Sequence, residues 1–121
     1  MKNILFALAL LISFVSFGQT TLEYFDSGYD KAKAKDYYGA IADYTKAIEI
    51  DPTAVTAYFN RGVSKSDLKD YYGAIADFTK AIELNPNDAN AYAKRGVSKE
   101  NLGDLNGACV DWKKAAALGN K

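Results

Sequence analysis

The side chains able to do acid–base chemistry in this chain are carboxylates, and they recur in sets: Asp36, Asp70 and Asp104; Asp43, Asp77 and Asp111; Glu49 and Glu83. Members of each set lie 34 residues apart (70 − 36, 77 − 43, 83 − 49). A catalytic pair would have to break that regularity, because a general acid and its base must converge on one point. Carboxylates repeated at a constant spacing instead mark helix caps and pairing or solvated faces. Thiol and imidazole chemistry is nearly missing too: there is no histidine and a single cysteine, Cys109. That excludes a His/Cys metal site, a histidine-based triad and an intramolecular disulfide. Cys109 stands where the other copies have Ile41 and Ile75, so it is expected to be a small buried hydrophobe. No catalytic, cofactor-binding or metal-ligating residue is assigned, and the chain is not read as an enzyme.

What positions these groups is a repeat. KDYYGAIADYTKAIEI at 35–50 returns as KDYYGAIADFTKAIEL at 69–84, differing only at Tyr44 against Phe78 and Ile50 against Leu84. One structural unit has been copied, each copy burying the same face in the same way. Within it, Tyr37, Ala40, Ile41, Tyr44, Ala47 and Ile48 fall at spacings of three and four, which is one stripe of an α-helix. Asp36, Asp70 and Asp104 sit where an N-cap belongs, and Pro52 and Pro86 lie where the helix must stop. A further helical stretch precedes each cap, clearest in AYFNRGVSKSDLKD from Ala57 and AYAKRGVSKENLGD from Ala91. The unit is a pair of antiparallel helices, written three times as 21–54, 55–88 and 89–121.

The first eighteen residues are of another kind. MKN supplies one positive charge, ILFALALLI is an apolar run, and Ser16 and Gly18 end the segment with small residues at minus three and minus one. This reads as a secretory signal peptide over 1–18, cleaved before Gln19, leaving 19–121 as the folded domain. The competing reading is a retained membrane anchor; the apolar stretch through Phe17 is short of the roughly 20 residues that span a bilayer. The expected location is therefore secreted or periplasmic, with the membrane met only transiently. Fifteen basic residues balance fifteen acidic ones. No basic stripe is gathered for nucleic acid or an anionic membrane, and no small-molecule substrate is evident.

The pattern resembles the tetratricopeptide repeat family, across the whole chain after the leader. Numbering each unit from 1, the family's aromatic at 4 is matched by Tyr24, Tyr58 and Tyr92, and its glycine at 8 by Gly28, Gly62 and Gly96. Its alanine at 20 is matched by Ala40, Ala74 and Ala108, its aromatic at 24 by Tyr44, Phe78 and Trp112, and its alanine at 27 by Ala47, Ala81 and Ala115. Asn120 replaces the proline of the third unit. The resemblance implies an all-α fold, a right-handed α-solenoid of three stacked antiparallel helix pairs, acting as a protein-binding module. Physically, small residues at 8 and 20 let the two helices approach, with rings beside them, and stacking supplies a continuous core.

Two departures from the family stand out. Position 7, usually leucine, is Ser27, Arg61 and Arg95; position 11, usually a large aromatic, is Lys31, Lys65 and Lys99. Arginine appears only in the units that have a preceding neighbour. A junction role is therefore expected, pairing Arg61 with Asp43 and Arg95 with Asp77.

In the family, positions 2, 5 and 9 of the first helix line a concave groove that holds an extended or helical peptide. Here the candidates are Leu22, Phe25, Tyr29, Phe59, Val63 and Val97, none of them expected to be needed against the partner helix. Padding between first helices is the competing reading for Val63 and Val97. One subclass grips chaperone C-terminal carboxylates with Lys at 5 and Asn at 9 of its first unit. Phe25 and Tyr29 stand there instead, and only Asn60 and Lys94 match the rest of that clamp, so that ligand is rejected. A protein or peptide partner is expected. The alternative is a structural, self-associating protein assembling through its last repeat, whose final helix carries Cys109, Val110, Ala116 and Ala117 and no extra polar helix to close it.

Overall fold

A computed structural model describes residues 20–119, and every regular element among them is helical. Helix α1 occupies 20–33. It is followed by α2 (Tyr37–Ile50), α3 (Val55–Asp67), α4 (Tyr71–Leu84), α5 (Ala89–Asn101) and α6 (Leu105–Gly119). The expected leader, residues 1–18, and Asn120 lie outside the described residues. No described helix is long and apolar enough to cross a membrane.

Each turn between paired helices is closed twice by one residue. The Asp36 backbone N–H returns to the carbonyl of Lys31 and that of Lys35 to Ala32, which ends α1, while the Asp36 carboxylate accepts from the Gly39 N–H at 3.0 Å and starts α2. Asp70 and Asp104 repeat the device with Gly73 and Gly107. The left-handed position of this turn is held by Lys35 and Lys69, both at φ 64°, and by Gly103 at φ 83° in the third unit. Only the glycine takes that conformation without steric cost. The residues before the prolines, Asp51 and Asn85, are pushed to extended backbone, so α2 and α4 stop at Ile50 and Leu84.

The core runs along the stack through Ala40, Tyr44 and Ala47, then Ala74, Phe78 and Ala81, with Ala57, Ala91 and Ala108 between. The glycine at position 8 makes room for a ring: a Cβ on Gly28 would lie 2.9 Å from Tyr44 Cε1, and one on Gly62 2.9 Å from Phe78 Cε1. The ring at 24, more than a bare backbone contact, fills the space that the glycine leaves. Beyond each helix pair, α2 packs on α3 and α4 on α5, and α3 touches α5 directly. No two of α2, α4 and α6 bring their backbones as close together as α3 and α5 do. First helices therefore crowd together on the inner side of the solenoid, and second helices splay on the outer side.

Candidate functional site

The six candidate groove residues all belong to the inner layer, but they divide by burial. Leu22 is 60% exposed, Tyr29 48% and Val97 43%, whereas Phe25, Phe59 and Val63 are half-buried. The reason lies one helix away. The Phe25 ring sits 5.8 Å from the Tyr44 ring and Phe59 5.6 Å from Phe78, both tilted as aromatic pairs prefer. The expectation that none of these residues is needed against the partner helix is corrected for Phe25 and Phe59, which brace the core rings from the groove side.

Leu22 and Phe25 share an open pocket of about 610 Å³ where the first two units meet. Its other walls are Ala47 and Ile50 from the end of α2, Ala54 from the connection, and Thr56 and Ala57 from the start of α3. Asp51 is the single charged residue at its edge. Tyr29, Phe59, Val63 and Val97 lie outside this pocket; Lys33 Nζ stands 5.5 Å from the centre of the Tyr29 ring. The wall formed by Ala47, Ile50, Ala54 and Ala57 was missed by a reading confined to one stripe of the first helices. Its signal was the smallness of Ala54 and Ala57, which open the cleft between units.

The charged positions at 7, 11 and 23 assemble differently from expectation. Arg61 Nε and Nη2 donate to Asp77 at 2.9 and 2.7 Å, and Lys65 Nζ adds an ion pair at 3.1 Å, all within one unit. Arg95 and Lys99 hold Asp111 in the same way at 2.9, 2.7 and 3.0 Å. The expected pairs Arg61–Asp43 and Arg95–Asp77 are thus replaced by Arg61–Asp77 and Arg95–Asp111. The junction role survives through the remaining nitrogen: Arg61 Nη1 donates to Thr45 Oγ1 of the preceding unit at 3.1 Å, and Arg95 Nη1 to Thr79 Oγ1 at 3.2 Å. A forked guanidinium serves both units at once. In the first unit Ser27 and Lys31 hold Asp43 at 2.6 and 2.9 Å.

Burial pushes the Asp111 carboxyl up, but the hydrogen bonds from Arg95 and Lys99 outweigh it and hold the group below the usual carboxylate range. Asp43 is lowered likewise, with burial opposing the bonds from Ser27 and Lys31. These carboxylates are structural ions, each occupied by cations of its own unit. Among the described residues no three His, Cys, Asp or Glu side chains gather as metal ligands would. Cys109 is exposed, against the expectation of a buried hydrophobe. Its counterparts Ile41 and Ile75 are half-buried because a further unit packs over them, and α6 is the last described helix.

Family models described as tetratricopeptide repeat match residues 55–88 and 78–109, and one described as TPR repeat matches 28–68. No curated protein matches the chain. Among solved structures, the first TPR of Spaghetti (RPAP3) bound to HSP90 peptide SRMEEVD is similar at 30% identity and TM-score 0.80, over 83% of this chain and 79% of that one. The second TPR of Spaghetti, bound to the same peptide, is similar at 31% identity and TM-score 0.80, over 83% and 93%. The Arabidopsis OM64 TPR domain is similar at 28% identity and TM-score 0.81, over 83% of each chain.

Proposed function

Because the chain belongs to the tetratricopeptide repeat family, we propose that its concave face holds a segment of another protein without turning it over, and that it does so in the cell envelope. The observation that carries this reading is the open, apolar pocket between the first two units, with Leu22 exposed on its wall. Two similar domains are each bound to an HSP90 peptide ending in EEVD. This chain offers Phe25 and Tyr29 in place of the lysine and asparagine that resemblance to the carboxylate-gripping subclass would require. The pocket's chemistry suits an apolar side chain of the partner rather than a free carboxylate.

Leu22 and Tyr29 are the variants that test the groove, since both are exposed and neither ring-pairs with the core. Leu22→Ser with Tyr29→Ser is expected to abolish partner capture from an envelope fraction while the melting temperature moves little, as exposed substitutions do. Capture unchanged in that double variant would remove the groove from the function. The envelope location rests on the 1–18 leader; intact mass of the cellular protein is expected to start at Gln19, and a form retaining residues 1–18 would replace secretion by anchoring.

A further inference from the structure

The first and last units differ from the interior ones at the positions that form the junction between units, and they differ in opposite senses. Arg61 Nη1 on Thr45 Oγ1, and Arg95 Nη1 on Thr79 Oγ1, fix the interior register as position 7 opposite position 25. Consecutive helices run antiparallel, so one turn either way places position 3 opposite 28 and position 10 opposite 21. Interior junctions accordingly set Ala57 and Ser64, both 1% exposed, opposite Ile48 and Ile41. The same register sets Ala91 and Ser98, both at 0%, opposite Ile82 and Ile75. Small residues on the first helix meet large ones on the second, and one arginine meets one threonine.

At the two ends the sizes and charges are exchanged. The outer face of α1 carries Glu23, Ser27 and Asp30 at positions 3, 7 and 10; the outer face of α6 carries Ala116, Lys113 and Cys109 at 28, 25 and 21. If a second copy continued the stack in the interior register, Ala116 would oppose Glu23, Lys113 would oppose Ser27, and Cys109 would oppose Asp30. The small residue now lies on α6 where α1 is large, and the long cation lies on α6 where α1 has a serine. Lys113 would enter a hollow of about 290 Å³ between α1 and α2, lined by Thr20, Glu23, Tyr24, Ser27 and Asp43, the last already held by Ser27 and Lys31. Glu23 and Asp30 lie one turn to either side of Ser27, and among the described residues Glu23, Asp30 and Lys113 make no ion pair.

We propose that the protein associates head to tail with a second copy of itself, the outer face of α6 docking on the outer face of α1 with Lys113 held between Glu23 and Asp30. Charge complementarity and the size exchange at two facing positions both select this occupant. The contact is heterologous, so it does not close on a pair and continues into a rod. The concave groove remains open along such a rod, since the interior junctions leave it open.

The register is tested by a cysteine placed at position 10 of the first unit. Cys109 is the single native cysteine, so an oxidant can link wild-type molecules no further than a dimer. With Asp30→Cys, which leaves Glu23 as the carboxylate that holds Lys113, diamide takes two electrons and two protons per disulfide, and Cys109 of one copy joins the new thiol of the next. A ladder of trimers and above is expected on non-reducing gels, fading in high salt and in the Asp30→Cys, Lys113→Glu variant. A control cysteine at exposed Lys46, away from both end faces, is expected to give about tenfold less, the ratio set by 1.4 kcal/mol of junction energy. Circular dichroism checks that each variant is folded. Equal ladders from the two cysteines, or an Asp30→Cys product that stops at dimer, would overturn the proposal.

Discussion

Phe78→Ala lowers the unfolding free energy by about 3 to 5 kcal/mol, the range for deleting a large buried ring. The ring is fully buried at the centre of the middle unit. It fills the space over Gly62, which has no side chain of its own to collapse into the void, and it carries the Phe59 ring on its groove side. A domain of this size has about 5 to 15 kcal/mol in all, so the variant melts far below the wild type or does not fold at 25 °C. Thermal and urea melts followed by helicity measure it. Ala74→Leu fails for the opposite reason, because Ala74 is fully buried and extra volume there forces the helices apart. Phe59→Ser falls between these and the exposed groove variants, since its ring leans on Phe78. A loss below about 1 kcal/mol in Phe78→Ala would mean that the neighbouring units close the cavity by shifting along the stack.

The period of 34 residues made the helix pairs, their boundaries and the Asp36, Asp70 and Asp104 caps legible, because each depends on residues close in the chain. The partner of Arg61 was not legible in the same way. A helical wheel gives a direction, and both Asp43 and Asp77 lie in the direction of position 7. What decides between them is the reach and fork of the guanidinium, which satisfies Asp77 with two nitrogens and still has a third for Thr45. The absence of arginine from the first unit did reveal that position 7 serves the junction; the acceptor was a hydroxyl rather than a carboxylate. The candidate site was half legible for a related reason. Its Leu22 and Phe25 wall follows the period of α1, but the facing wall comes from the end of α2 and the start of α3, which no single-helix stripe brings together. The burial of Cys109 was misjudged because equivalence by repeat holds only where a next unit covers the position.

Removing the carboxylate at the centre of a clasp has an effect of similar size and a different signature. The Asp111 side chain is 2% exposed and faces Arg95 and Lys99, whose side chains are 17% and 22% exposed. Asp111→Ala leaves both cations without their counterion in a desolvated place, a change that costs about 3 to 5 kcal/mol. Replacing the whole clasp by apolar residues, Arg95→Met with Lys99→Met and Asp111→Leu, costs far less, since no charge is then stranded. The contrast separates a paired ion from a packing residue, which Phe78→Ala cannot do. Proton linkage gives a second, independent reading. The folded-state carboxyl of Asp111 lies below its ordinary value of 3.8, so the folded protein binds fewer protons there than the unfolded chain does. Its stabilisation is complete above that ordinary value and is lost as pH falls through it towards the folded-state value; Asp43 contributes with the same sign. Unfolding free energy is therefore expected to be flat from neutral pH down to about pH 5 and to fall steeply below about pH 4. Urea melts across that range measure the slope. In Asp111→Ala the slope is shallower because one of the three lowered carboxyls, Asp43, Asp51 and Asp111, is gone, whereas in Phe78→Ala the whole curve drops with its slope unchanged; an acid slope identical in Asp111→Ala and wild type would place the proton uptake elsewhere.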